Sequence, residues 1–442
     1  MAVHPIEYRY GTEEMKGIWG EDARLRKFLE VESALAKAEA DVGLIPKKSA
    51  ETIGANVNKV KIERVKEIES KIGHDVMAMV LALAELCGDA GRWVHFGATS
   101  NDITDTGLAL QLRDAAALLE KKLKRLRNAL LDQAKKHKRT VCAGRTHGQI
   151  GIPTTYGLRF AIWACEVNRH LQRLEELKPR ILVGQMSGAV GTGAAFGTFA
   201  GDVERRTMTY LGLEAVDASN QVIQRDRYAE YIMFLANIAT TLDKICTEVR
   251  ILQRSEIAEV EEEFGKEQVG SSTMPHKRNP VKSEQVCGLA RVIRAHVEPA
   301  LLNNTLWDER DLTNSSCERI IIPESTILTD HILKLTANIL ENLRFNHENI
   351  KRNLMMLKGL NMAEAVMIEL AKKDLGRQNA HAIVRGCAMK ARETGEHMKD
   401  VLCREPRITK YLTPDEIERL IKPENYLGNA VERVEEIVKR LR

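Results

Sequence analysis

"YAEYIMFLANIATTLDKICTEV", residues 228–249, places Tyr228, Ile232, Leu235, Ala239, Leu242, Cys246 and Val249 at alternating steps of four and three. A strand facing one core would repeat every second residue; steps averaging three and a half mark one face of a helix packed along other helices. Leu108, Leu112, Ala115, Leu119, Leu123, Leu126 and Leu130 nearly repeat the spacing. Each pattern sits in a helical stretch of about 35 residues, roughly 50 Å long at the α-helical rise. Helices of that length exceed what a compact domain normally contains, so their apolar faces seek each other or a second copy of the chain.

Working outward, three more helices are expected, over 153–177, 281–303 and 323–346, because Pro153, Pro280 and Pro323 stand where a helix start tolerates a missing N–H. The first hundred residues carry shorter helical patterns punctuated by Gly43, Pro46, Gly54, Gly73 and Gly91, and the last ninety resume after "MMLKGLN". The expectation is an all-α chain in three helical domains: 1–100, a central long-helix bundle over 101–350, and 351–442. No segment shows strand alternation of useful length, and neither an internal repeat nor a low-complexity tract is present.

Composition narrows the function. Lys and Arg number 66 against 62 for Asp and Glu, a net charge of +4 over 442 residues, too balanced to call for a nucleic-acid partner. The eight cysteines include no Cys-x-x-Cys pair and no zinc-like spacing with histidine, so they read as reduced, buried thiols of a cytoplasmic protein. The opening "MAVHPIEYRYGTEEM" lacks the basic and apolar parts of a signal peptide. The most continuous apolar run, "VMAMVLALA" over 76–84, is far short of the ~20 residues that span a bilayer. No membrane role is expected.

Three loops between the helices are unusually rich in chemistry. "HFGATSNDITD", 95–105, crowds Thr99, Ser100, Asn101 and Asp102 where a long helix begins, although one of them would suffice as a cap. "GRTHGQIGIPTTYG", 144–157, sets His147 in a glycine-flanked polar turn. "GSSTMPHKRNP", 270–280, cannot be an ordinary helix, since Pro275 and Pro280 break the ladder and Ser271, Ser272 and Thr273 compete for backbone bonds. Singly, each has an ordinary explanation as a cap, a structural histidine or a solvated loop. Together, three polar loops at the ends of long helices suggest a site assembled where helix ends meet.

"GSSTMPHKRNP" resembles the signature of the fumarase and aspartase superfamily, and "ATSND" and "GRTHGQ" occur in that family's order and spacing. "YRYGTEEM", "GHDVMA", "QRDRYAEY" and "WDERDLTNSSCERI" resemble its adenylosuccinate lyase branch, over nearly the whole chain. The resemblance implies β-elimination of fumarate from adenylosuccinate, giving AMP, and from SAICAR, giving AICAR. Such a reaction needs a base at the carbon beside a carboxylate, an acid for the departing nitrogen, and donors for the dianionic intermediate.

By that resemblance Ser271 is the base, with its alkoxide stabilised by Lys277 and loop amides, and His147 is the acid. Lys277 and Asn279 hold the developing negative charge. His74, beside Asp75, positions substrate. Arg9, Tyr10, Arg310, Ser315 and Arg319 bind the phosphate, Ser315 and Arg319 being four apart and so on one helix face. Thr99, Ser100, Thr146 and Gln221 complete the bonding to the succinyl carboxylates and the base. No metal or other cofactor is implied. A homotetramer with sites shared between subunits is expected, with the signature loop, 268–282, closing as a lid. An argininosuccinate lyase or fumarase would share the signature but not need the phosphate set. A non-catalytic protein on the same fold would need neither His147 nor Ser271.

Overall fold

The computed structural model describes residues 3–265, 273, 274 and 276–442. Ser271 and most of the first half of the signature loop thus lie outside the described residues. The chain is overwhelmingly helical, as the heptad spacing requires. Its longest helices are Ser100–Lys136, Tyr156–Ile181, Asp226–Leu252 and Thr313–Glu341. The seam read from residues 228–249 is buried throughout, from Tyr228 at 3% exposed to Ile232, Leu235, Ala239 and Cys246 at 0%.

Residues group into two discontinuous units. The first comprises 1–124, 169–242 and 288–334. In it the Glu21–Asp41 helix packs on Lys47–Asn56 and on Ala200–Leu211. Leu29, Leu35, Ile53, Met79, Leu83, Ile103, Leu110 and Phe196 are buried in their shared core. Gly97 is tied to this core by geometry: its φ is +73°, and a Cβ there would meet the Phe196 ring at 2.5 Å. A buried triad joins the N-terminal segment to two long helices, with Thr12 Oγ1 donating to Asp330 at 2.6 Å and Lys122 Nζ lying 2.5 Å from the same carboxylate.

The second unit comprises 125–168, 243–287 and 335–442. Its C-terminal residues hold a cluster of their own, including Met362, Val366, Leu370, Ile408 and Ile417. The first-hundred-residue division has no such separate core, because the N-terminal cluster includes Val203, Met208 and Leu211.

Three expectations need correction. The stretch 144–157, read as a polar loop with a helix expected from Pro153, lies largely in an antiparallel hairpin, Val141–Thr146 with Gln149–Thr155. Its two-residue turn is His147–Gly148, both left-handed at φ +53° and +74°, the conformation that matches strand twist in a tight hairpin. Pro153 sits in the second strand opposite Ala143, and the helix begins only at Tyr156. The 281–303 helix is two, Val281–Ala295 and Val297–Leu302, separated at His296; Pro299 cannot donate to the carbonyl of Ala295, so the ladder stops there. Pro323 does not start a helix but lies inside Thr313–Glu341, where buried Ile321, Ile322 and Ile327 hold the helix together across the missing donor.

Candidate active site

In the first unit an open cleft of about 680 Å³ is lined by His74, Asp75, Ser100, Arg310, Ser315 and Arg319, with Arg24, Asp105, Arg225, Asn314 and Glu318. Local sequence explains how its first wall is built. Gly73, at φ +70°, ends the Ile62–Ile72 helix in the left-handed conformation, and His74 caps the next, Asp75–Cys87. The cap is the imidazole itself: Nδ1 accepts from the amide of Met77 at 3.2 Å, so the ring proton sits on Nε2. Asp75 accepts from the amide of Val76 at 2.8 Å and from Arg319 Nη2 at 2.6 Å. Burial pushes the Asp75 carboxyl up, but the Arg319 guanidinium, the Val76 amide and Arg24 outweigh it and hold the group below its usual range.

The opposite wall is the first turns of the Thr313–Glu341 helix. Ser315 and Arg319 stand one turn apart and both line the cleft. Arg310, just before this helix, donates through Nη1 to Gln221 Oε1 at 3.1 Å. Burial lowers its basicity, with Arg225 and Arg319 adding like charge against Asp105 and Glu318. Arg24 is pulled down likewise, first by burial and then by Arg319.

The floor is charged and buried. Arg225, 3% exposed, donates to both oxygens of Asp105 at 2.8 and 2.9 Å, a bidentate fork. Its Nε lies 3.2 Å from Glu318 Oε1 without hydrogen-bond alignment. Burial lifts the Glu318 carboxyl to about 7, Arg225 opposing and Asp105 adding to the lift. Burial would lower Arg225, yet Asp105 and Glu318 hold it above its usual value.

Asp102, buried at the start of the Ser100–Lys136 helix, accepts from the amides of Thr99 (2.9 Å), Ser187 and Gly188 (both 3.0 Å) and from Gln185 Nε2 (3.0 Å). The crowding of polar residues in "ATSND" is thereby accounted for: the carboxylate gathers loops rather than merely capping one.

Family models agree with this architecture. Residues 7–295 match the model described as Lyase, and residues 359–437 the one described as Adenylosuccinate lyase C-terminus. Adenylosuccinate lyases of Pyrococcus abyssi and Methanocaldococcus jannaschii are each 56% identical to the chain, over 99% and 100% of it and 98% and 96% of their own lengths. The chain belongs to the adenylosuccinate lyase family. Among solved structures, a fumarate lyase from Mesorhizobium sp. BNC1 is 32% identical with a TM-score of 0.90, covering 97% of this chain and 98% of that one. A 3-carboxy-cis,cis-muconate lactonizing enzyme from Pseudomonas putida is 34% identical with a TM-score of 0.90, covering 99% and 98%.

Set against this adenylosuccinate lyase frame, the residues named from sequence fall into groups. His74, Asp75, Ser100, Arg310, Ser315 and Arg319 share the cleft, Gln221 touches it through Arg310, and Thr99 is tied to its rim by Asp102. Arg9 and Tyr10 belong to the same unit but do not line the cleft; Tyr10 packs on the ring of His331 at 5.6 Å between centroids. Thr146, His147, Lys277 and Asn279 belong to the second unit. His147 is exposed at the hairpin tip. Behind it, the buried carboxylate of Glu259 takes Arg145 Nη2 at 2.5 Å, Asn353 Nδ2 at 2.9 Å and the Tyr156 hydroxyl. Sequence reasoning missed Arg24, Asp105, Arg225 and Glu318 in the cleft. "QRDRYAEY" had singled out the segment of Arg225; nothing in the sequence pointed to Arg24.

Proposed function

We propose that the chain eliminates fumarate from adenylosuccinate to give AMP, and from SAICAR to give AICAR. The observation that carries this is the full-length match to adenylosuccinate lyases, joined to a cleft in which Arg310, Ser315 and Arg319 converge with His74. Two guanidiniums and a hydroxyl suit a phosphate, which takes charge-assisted, multidentate donors. Arg9 and Tyr10 are proposed as further phosphate ligands. Ser271 takes the proton from the carbon beside the succinyl carboxylate, and the electron pair moves into that carboxylate. Lys277 and Asn279 meet the resulting charge. His147 protonates the nitrogen as the C–N bond breaks. Its turn position supports this role, since the left-handed backbone projects the ring from the tip of a hairpin braced by Glu259. His74, its proton on Nε2, and Asp75 position substrate, while Thr99, Ser100, Thr146 and Gln221 bond the succinyl carboxylates and the base.

The working unit we propose is a cytoplasmic homotetramer with shared sites. Ile162, 53% exposed on the Tyr156–Ile181 helix, and Met233, 40% exposed on Asp226–Leu252, support further helix packing between chains. No helix of the described residues is long and apolar enough to cross a membrane. The test is direct: the purified protein is expected to release fumarate and AMP from adenylosuccinate in equal amounts. Failure to consume adenylosuccinate, with turnover of argininosuccinate or malate instead, overturns the proposal.

A further inference from the structure

Two loops that would hold the succinyl half of the substrate are tied to one buried carboxylate. Asp102 is 0% exposed, and each of its four partners is a donor: the Thr99 amide and the Gly188 amide on Oδ2, the Ser187 amide and Gln185 Nε2 on Oδ1. Burial pushes the Asp102 carboxyl up and these four donors oppose it; only the ionised form completes all four bonds, since a protonated carboxyl would set its own hydrogen against one of the donors. The same Gln185 amide nitrogen also donates to the backbone carbonyl of Gln221 at 2.9 Å. Gln185 is itself fully buried, leaving it few other arrangements. Asp102 therefore fixes Thr99 directly and Gln221 through a single intervening side chain. Three residues along the helix, Asp105 holds the other side of the Gln221 segment by accepting from the amide of Ile223 at 3.0 Å.

We infer that Asp102 is a positioning residue of the reaction, setting the distance between Thr99–Ser100 and Gln221 so that both meet the succinyl carboxylates. The inference rests on the proposed adenylosuccinate activity. Its chemistry is differential: Arg319 is held by Asp75, and Arg310 meets only the side chain of Gln221, whereas the Asp102 network grips the backbone of Gln221 and the amide of Thr99, so the loss of its carboxylate falls chiefly on the succinyl end of the substrate. AMP has no such end.

The experiment compares wild type with Asp102→Asn, which keeps the shape of the side chain but replaces an accepting oxygen by a donor that must face another donor. The KM for adenylosuccinate is expected to rise about tenfold or more, with a smaller fall in kcat, while inhibition by AMP changes by less than about threefold. If KM and AMP inhibition shift in parallel, or neither shifts, the positioning role is overturned. Gln185→Met, which removes only the link from Asp102 to Gln221, is read by the same two constants and decides the matter if Asp102→Asn does not fold. Wild-type turnover is measured alongside. An inactive wild type refutes the proposed function, whereas an active one with parallel shifts refutes this inference alone.

Discussion

Arg319 donates to the carboxylate of Asp75 at 2.6 Å, joining positions 244 residues apart across the cleft. With side chains 50% and 27% exposed, the pair adds little to stability. Its consequence is electrostatic. Asp75 holds the guanidinium at the cleft wall near Arg24, whose basicity is lowered first by burial and then by the charge of Arg319. An anionic ligand entering between the two guanidiniums replaces part of their like-charge repulsion by attraction.

Arg319→Ala is accordingly expected to weaken adenylosuccinate and AMP together, by about 1.5–3 kcal/mol for a lost charge-assisted bond, with turnover at saturation much less affected. Arg319→Lys should recover only part of the loss, since a point charge does not reproduce the fork. Calorimetric titration with AMP checks both. An Arg319→Ala protein that binds AMP as tightly as wild type removes the phosphate role.

How much of this was legible beforehand depends on how local the determinant is. The seam from Tyr228 to Val249 repeats within a single element, so its period alone fixed the helix and its buried face. Ser315 and Arg319 share a face for the same reason. The hairpin was missed because its signals oppose each other: Pro153 lacks an N–H and the turn is His147–Gly148 rather than a common Asn-Gly pair. The two grips of Asp102 and Asp105 were beyond reach for another reason. Ser187, Gly188 and Ile223 contribute backbone amides, which every sequence position offers alike, and the guanidinium of Arg225 reaches Asp105 from 120 residues away, a pairing no local spacing announces.

The proton-transfer residues should separate from the binding residues. Ser271→Ala is expected to lower kcat by orders of magnitude while adenylosuccinate still binds, because the phosphate contacts survive. His147→Gln should do the same, and the slow step should then depend on how basic the departing nitrogen is. Steady-state kinetics with direct binding measurements decide it; near-normal turnover of Ser271→Ala would remove that serine from the reaction.

Glu39 gives a stability prediction with a definite sign. It is fully buried on the Glu21–Asp41 helix, and neither carboxyl oxygen has a hydrogen-bond partner among the described residues. Burial, then the nearby Glu32 carboxylate, pushes its carboxyl up to about 9 from an ordinary 4.5. Between these values the folded chain keeps a proton that the unfolded chain has released, so stability falls as pH rises through the window. Glu39→Met removes the titration while keeping a similar volume. Its melting temperature should exceed that of wild type at about pH 8, and the gap should shrink toward about pH 5. Equal gaps at both ends would show that the carboxyl does not titrate in the folded chain.

The last prediction addresses which chains build a site. If His147 and Ser271 of one site come from different subunits, the inactive variants His147→Ala and Ser271→Ala each retain the residue the other lacks. Mixed under conditions that exchange subunits, they place an intact His147 opposite an intact Ser271 in about a quarter of the sites of a randomly assorted tetramer. Activity should therefore return to roughly that share of wild type, from two preparations with almost none. If both residues of a site belonged to one chain, every site would keep one lesion whatever the mixing. Native mass spectrometry confirms that hybrids have formed, and hybrid tetramers that stay inactive overturn the shared site.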